Sequence, residues 1–386
     1  ERSSRTSYAA CGLPYLIGCM VKTPDRLVVR TPDQHRANGI DVRIRHQAIA
    51  IDCTAQTVTV RDLDTGQEAI EHYDELLIST GASGITPPWS GIDAEGVLQL
   101  RTLEDAAEVD RRIVAGARRA VVVGAGYIGL EVAEGLLARG LDVTVVERLD
   151  APMAAVLDAD MAGGVAAAMR AAGINLRLGT AVTGFTTAAG RVTAVETAAG
   201  PLVADLVVIG LGVRPNSELA RAADIGVGKS GGIIVHDRLH TGTPHVWAAG
   251  DCVESRHRIT GWAVVIALGT HANKQIARTG LAEREAEAAG FDAVGVITES
   301  SSKAQYFPGA QPMKIKILAE RGTGRLLGAQ IVGGEGAGKR IDVLATALWN
   351  NMTVAEIGGM DLSYAPPFSP VWDPVLLAAG KAASRI

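Results

Sequence analysis

The stretch Ala120-Val121-Val122-Val123-Gly124-Ala125-Gly126-Tyr127-Ile128-Gly129-Leu130 decides the fold. Its leading apolar residues predict a buried parallel strand, and residues 130–139 predict a helix that Gly140 ends. Gly124-x-Gly126-x-x-Gly129 is the turn between them. An acid, Glu147, follows 23 residues after the first glycine, at the end of a second strand predicted over 142–147. That context is what a dinucleotide needs. Gly124 makes the tight turn, Gly126 lets the backbone approach a pyrophosphate, and Gly129 lets helix and strand pack closely. The helix start offers free N–H groups and the positive end of its dipole to the anion. Glu147 is placed to hydrogen-bond ribose hydroxyls and to repel a 2′-phosphate, which favours NADH over NADPH; Arg148 beside it works the other way. A glycine turn that binds nothing is the alternative.

Outward from this unit the chain alternates strands and helices. Strand character is predicted at 40–44, 48–51 and 57–60, with Asp64-Thr65-Gly66 as a turn. Residues 75–81 predict a buried strand running into a glycine, and 86–89 a loop. A helix near 160–172 leads to a strand ending at 178. Residues 191–215 predict a strand pair, a strand and a glycine turn. From about 290 the rhythm changes to strands at 314–319 and 326–332 and a helix at 338–350, an α+β module.

The 386 residues allow two or three domains. Hydrophobic residues at 47% and charged residues at 20% argue against disorder. A net charge of −5 argues against nucleic acid as a partner. No apolar run is long enough for a membrane span, and no signal-peptide pattern opens the sequence. The four cysteines, Cys11, Cys19, Cys53 and Cys252, form no CxxC and no zinc spacing, which predicts a reduced, cytoplasmic protein. His236 and His240, with His245 nearby, lie in strand-turn sequence, and no metal is expected there.

A second set of features points to a flavin. Thr243-Pro244-His245-Val246-Trp247-Ala248-Ala249-Gly250-Asp251 puts an acid after a strand and small-residue turn, and Ser79-Thr80-Gly81-Ala82 is a similar junction. They flank the Gly124 unit. Ser7-Tyr8-Ala9-Ala10-Cys11-Gly12-Leu13-Pro14-Tyr15 stands near the start. With these motifs in this order, the chain resembles the pyridine nucleotide–disulfide oxidoreductase family over nearly its whole length. Within the family it is most similar to the single-cysteine branch of coenzyme A disulfide reductases, NADH oxidases and persulfide reductases. In the family's Ser-Phe-x-x-Cys-x-x-Pro-Tyr, Ser7, Cys11, Pro14 and Tyr15 match and Tyr8 replaces Phe. Leu16 stands where two-cysteine members carry the partner thiol. An isolated cysteine is ordinarily a small buried hydrophobe, and that reading is kept for Cys19, Cys53 and Cys252.

The resemblance implies an α/β fold with two Rossmann-like domains and a C-terminal α+β dimerisation domain. Its boundaries are FAD domain 1–97, NAD(P) domain 98–212, FAD domain 213–288 and dimerisation domain 289–386. It implies FAD and NADH or NADPH as cofactors and a homodimer. Cys11 would alternate between thiolate and Cys–S–X, where X comes from a small disulfide, a persulfide or oxygen. Tyr306 and Tyr364 match tyrosines that assist a leaving thiolate from the other subunit; ordinary aromatic packing at the interface is their alternative. On the flavin side it implies Glu1 at the adenosine ribose, Ala48 at the adenine, and Ser7, Thr80, Gly81, Arg101, Gly250 and Asp251. Leu268 and Ala272 match a helix start facing the flavin ring. Gly212 matches the return from the nicotinamide domain, and Tyr127, Ile128 and Glu131 lie where the family places residues near the nicotinamide. Ala10 replaces the asparagine usual in coenzyme A disulfide reductases. The family's first strand with its glycine loop, and a glycine-rich helical stretch between Gln275 and Ile276, are not in this sequence. A FAD-binding polypeptide is expected to carry both, and an intact mass of 40.1 kDa would contradict that. An NADH oxidase and a non-catalytic redox sensor are the functional alternatives.

Overall fold

A computed structural model describes residues 1–236, 238–254, 267–271 and 274–386, with backbone alone for 267–271 and 274. The chain divides into two compact units. The first holds Glu1–Pro88, Leu98–Gly116 and Leu211–Ser255; the second holds Trp89–Val97, Ala117–Gly210 and Arg256–Ile386.

In the second unit, the strands Leu206–Ile209, Arg119–Val123, Asp142–Val146 and Asn175–Arg177 lie side by side in parallel, in that spatial order. The first is buried throughout and the second everywhere but Arg119, as parallel strands covered on both faces require. Helices Tyr127–Ala138 and Ala159–Ala171 are the crossovers. An antiparallel set, Val182–Ala188, Arg191–Thr197 and Leu202–Val203, follows. The C-terminal module is a five-stranded sheet in the order Ala267–His271, Lys274–Gly280, Leu326–Gly333, Pro312–Glu320, Ala293–Ser301. Helices Ala337–Trp349 and Pro374–Ala383 contribute to its core, with Ile315, Ile317, Ile331, Leu344 and Val375 at its centre. The predicted helix and strands of this module are found within a few residues of their expected ends.

The first unit is built from smaller pieces. His46–Asp52, Thr57–Asp62 and Glu68–His72 form an antiparallel meander. Leu76–Ile78 pairs in parallel with Val246–Ala248, and Ala82–Gly84 pairs antiparallel with Val213–Pro215. Helix Leu103–Val114 starts at Thr102, whose hydroxyl accepts the Asp105 N–H at 3.1 Å while the Asp105 carboxylate accepts the Thr102 N–H at 2.8 Å. Ile78, Ile225, Ile233, Val246 and Cys252 form a local core.

Three expectations are corrected. Residues 40–44 are not a strand: the strand begins at His46, after Arg45 takes φ +59, a left-handed backbone that breaks extension. Leu268 does not start a helix. It lies on the strand Ala267–His271, whose backbone bonds go to Lys274–Gly280. Cys19 is exposed rather than buried, and Cys53 is only partly covered; Cys252 is fully buried, as expected.

Candidate functional site

The glycine turn of the second unit is fastened on several sides. Gly124 has φ +104, which only glycine adopts without strain, and its N–H donates to the Val146 carbonyl at 2.8 Å. A Cβ on Gly129 would lie 2.0 Å from the Gly124 carbonyl oxygen, and one on Gly210 would lie 3.2 Å from Gly129. Helix and strand therefore meet backbone to backbone. Gly126 is different. It sits at φ −81, ψ −174, and a Cβ there would meet nothing within 4 Å. Nothing in the fold requires glycine at 126, so its empty side points to a ligand. Helix Tyr127–Ala138 carries no acid in its first turn, leaving its positive end for an anion. Ile128 and Glu131 lie in its opening residues.

Glu147 closes the turn from outside. Its carboxylate accepts the Ala125 N–H at 2.8 Å and the Leu149 N–H at 2.9 Å. Each oxygen keeps lone-pair capacity for a ribose hydroxyl. Arg148 is exposed. The Tyr127 hydroxyl is buried with no partner among the described residues, and burial pushes its phenol up, against the pull of the Arg278 charge. This donor set and its open glycine fit a pyridine dinucleotide.

The flavin-side residues gather in the first unit. Glu1, Ala48 and Thr80 line one cavity of about 790 Å³ with Leu76, Leu77 and Asn216. That volume is in the range of cofactor sites. Burial pushes the Glu1 carboxyl up, but the Ser3 N–H at 2.7 Å and the Ser3 hydroxyl at 2.8 Å bring it below the usual range. It is an anion with acceptor capacity left. Because Leu76–Ile78 and Val246–Ala248 are parallel neighbours, Thr80-Gly81 and Gly250-Asp251 leave the same end of the pair. Gly81 has φ +67 and Gly250 φ +83. Arg101 donates to the Ala82 carbonyl at 3.0 Å, lies 3.7 Å from the Asp251 carboxylate, and keeps its Nε buried without a partner among the described residues. An orphaned buried donor in the same unit as that cavity fits a flavin nucleotide. Gly212, at φ +89, accepts the Ile85 N–H at 3.1 Å. Sequence reasoning passed over Asn216, whose side chain joins the Thr80 carbonyl (2.9 Å) to the Ser83 hydroxyl (2.7 Å). Leu268 is described by its backbone alone, and Ala272 lies outside the described residues.

Cys11 is exposed, in a single 3-10 turn Ala10–Gly12 leading into helix Leu13–Ile17. Leu13, Pro14 and Ile17 are buried and anchor that helix, so the thiol rides on a fixed base. Ser7 holds φ +53, and its hydroxyl is 2.7 Å from His35 Nε2. Cys19 follows the helix at φ +58 with its Sγ 3.9 Å from the Ile17 carbonyl. In the second unit Tyr306 and Tyr364 are both exposed and hydrogen-bonded to each other, a bond that holds the Tyr364 phenol above its usual range. The structure thus brings Glu1, Ala48 and Thr80 to one cavity, Arg101 near Asp251, and Tyr306 to Tyr364. Among the described residues, no cluster of three or more His, Cys, Asp or Glu could hold a metal. No helix among them is long and apolar enough to cross a membrane.

Comparison with known proteins agrees with this geometry. Residues 1–276 match the family model described as pyridine nucleotide-disulphide oxidoreductase, and residues 266–374 match that family's dimerisation domain. The chain is 32% identical to an NADH oxidase of Methanocaldococcus jannaschii, over all of this chain and 92% of the relative. It is 31% identical to a coenzyme A disulfide reductase of Staphylococcus aureus, over 99% of this chain and 92% of the relative. The structure of an NAD-dependent persulfide reductase from A. fulgidus superposes with a TM-score of 0.96 at 34% identity, covering all of this chain and 78% of that one. The alignment with the archaeal oxidase spans 417 positions, 417 − 386 = 31 more than this chain has, so that relative carries internal residues lacking here. At the expected place the strand Lys274–Gly280 runs straight through Gln275 and Ile276. The chain belongs to the pyridine nucleotide-disulphide oxidoreductase family.

Proposed function

We propose that this family member is an FAD-dependent NAD(P)H oxidoreductase, with NADH favoured, that reduces a small disulfide or persulfide through Cys11 alone. The observation that carries the reading is the exposed Cys11 thiol in the turn that leads into an anchored helix, with Leu16 in the place of a partner thiol. The Cys11 thiolate attacks R–S–S–R′, forming Cys11–S–S–R′ and releasing R–S⁻. Two electrons and one proton then break the new bond, releasing R′–SH and restoring the thiolate. FAD, when bound, supplies the two-electron relay between nicotinamide and sulfur.

The chain's own part is placement. The Gly124 turn holds the NADH pyrophosphate and Glu147 its adenosine ribose. Glu1, Ala48 and Thr80 take the adenosine end of FAD, and Arg101 with Gly250 and Asp251 its ribityl and flavin end. The domain boundaries are 1–97 and 213–288 for FAD, 98–212 for NAD(P) and 289–386 for dimerisation. Tyr306, Phe368, Val371 and Trp372 expose a large aromatic and apolar surface on the C-terminal module, which a second copy covers in a homodimer. From that copy, the Tyr306–Tyr364 pair donates a proton or hydrogen bond to the leaving thiolate. The similarity to a persulfide reductase and a coenzyme A disulfide reductase supports the acceptor class.

Anaerobic titration of the FAD-loaded protein with NADH, followed by visible absorbance, tests the reading. A long-wavelength thiolate–flavin band is expected in the wild type and not in Cys11→Ser, with disulfide turnover at least about a thousandfold lower in the variant. Identical bleaching in both proteins makes Cys11 a bystander. Rapid oxygen consumption without disulfide moves the function to an NADH oxidase.

A further inference from the structure

Between the strand Asp142–Val146 and the helix Ala159–Ala171, residues 149–158 run without regular structure. Met153 is buried there at φ +57, a strained backbone that persists only where the surroundings enforce it. Its N–H donates to the Ala125 carbonyl at 2.8 Å. Ala125 is the middle of the glycine turn, and its N–H is already taken by Glu147. Both polar groups of that residue are thus spoken for, one of them by residue 153.

The residues after Met153 are gripped by the C-terminal module. The Arg284 guanidinium donates to the Ala154 carbonyl at 2.5 Å and to the Ala155 carbonyl. Arg278, 2% exposed, donates to the Val156 carbonyl at 2.9 Å, and its charge is met by Glu285. Asp158 exchanges bonds with Gln330 (2.9 and 2.7 Å), and its carboxylate accepts the Glu283 N–H at 3.2 Å and lies 3.0 Å from Lys316 Nζ. A planar guanidinium across two successive carbonyls orients two peptide planes at once. The strap therefore has one end on the nucleotide turn and the other on a module with its own core.

We propose that Arg278 and Arg284 are positioning residues for dinucleotide binding: they hold residues 154–158 so that Met153 fixes the Ala125 carbonyl and, through it, the aim of the turn's N–H groups. The inference rests on the reading of Gly124–Gly129 as the NADH site. Arg278 also acts on the buried Tyr127 phenol that opens the helix, so both sides of the turn feel the same module.

The test is calorimetric binding of NADH to the full chain. Arg284 is exposed and is the residue to change. Arg284→Ala is expected to raise the NADH dissociation constant roughly 3- to 30-fold, with Arg284→Lys between it and the wild type. Lys339→Ala, a charge removed from another part of the module, is expected to bind as the wild type does. Amide exchange of the wild type supplies a readout free of folding defects: NADH is expected to slow exchange at 278–285 as well as at 120–130. Wild-type affinity in a folded Arg284→Ala, or protection confined to 120–147, overturns the strap. A wild type that takes no NADH overturns the nucleotide reading and the strap with it, and that arm is read before any variant is made.

Discussion

The Gly124 turn and the Cys11 turn are built on opposite plans. At Gly124 the backbone is over-determined. Gly124 N–H bonds Val146, Ala125 N–H bonds Glu147, Met153 N–H bonds Ala125, and Gly210 N–H bonds Val123, while Ala125 itself is fully buried. At Cys11 the Ala9 N–H bonds Leu27 at 2.8 Å, the Gly12 N–H bonds Ala9 at 2.9 Å, and the thiol stands in solvent. The glycines differ in the same way. A Cβ on Gly129 strikes main chain, whereas one on Gly12 strikes the Cδ2 end of Leu27, a flexible neighbour. A site that recognises a pyrophosphate by its own N–H groups must hold them still before the ligand arrives. A sulfur that must exchange partners needs a firm base beneath it and open space around it.

The largest effect expected on nucleotide binding breaks the rigid turn itself. Gly129→Ala drives the helix start away from Gly124, at a cost of about 1–3 kcal/mol of stability and roughly 10- to 100-fold in NADH affinity. Calorimetry and denaturant unfolding read both. Gly126→Ala separates the two losses. Its Cβ has room and its backbone is ordinary, so stability is expected to stay within about 0.5 kcal/mol of the wild type. The nucleotide, not the protein, needs that space, and NADH affinity is expected to fall about tenfold. If Gly126→Ala binds NADH normally, the turn is a structural one and the contrast with Cys11 loses its meaning.

Glu147→Gln comes next. It keeps one carbonyl oxygen, turns an amide toward an N–H, and removes the negative charge. NADH affinity is expected to fall about tenfold, the value of a charged hydrogen bond. NADPH is expected to lose less, because the repulsion of its 2′-phosphate goes too. The ratio of the two dissociation constants is the measurement. A ratio that does not move places Glu147 in the role of a turn clamp alone.

The Gly124 turn was legible because strand, glycines, helix and acid lie within one local stretch, where each residue type has a geometric cause. The Cys11 turn, Thr80-Gly81 and Gly250-Asp251 have no such local cause, and only their resemblance to the family's motifs singles them out. The strap was not legible. Met153 meets Ala125 across 28 positions, and Arg284 meets Ala154 across 130. Nothing local distinguishes a buried Arg278 from a surface one, since Val156 and Gly280 meet it with carbonyls, which every residue carries, and an acid seven residues on, Glu285, is common beside surface arginines too. Leu268 failed for a different cause. Its helix start is implied by the resemblance alone, and the pairing partner over 274–280 makes the segment a strand.

The smallest effect concerns the strand that leads into the rigid turn. Asp205 ties the neighbouring strands Leu206–Ile209 and Arg119–Val123 together at their N-terminal ends, the end of the sheet opposite the turn. Its carboxylate accepts the main-chain N–H groups of Arg118 (3.1 Å) and Arg119 (2.9 Å) and pairs with the Arg119 guanidinium. The guanidinium hydrogen bond, ahead of these backbone bonds and against the opposing effect of burial, lowers its carboxyl to about 2 from an ordinary 3.8. A carboxyl lowered in the folded state stabilises that state above the unfolded value and loses the contribution as pH falls through the folded one. Asp205→Asn is therefore expected to cost about 1 kcal/mol at neutral pH, after screening by solvent. The gap in urea midpoint between wild type and variant should hold from pH 8 to 5, shrink between about pH 4 and 2, and vanish below. A gap undiminished at the acid end would mean that Asp205 acts through shape rather than charge. The strand that leads into the Gly124 turn would then be held by its buried neighbours alone.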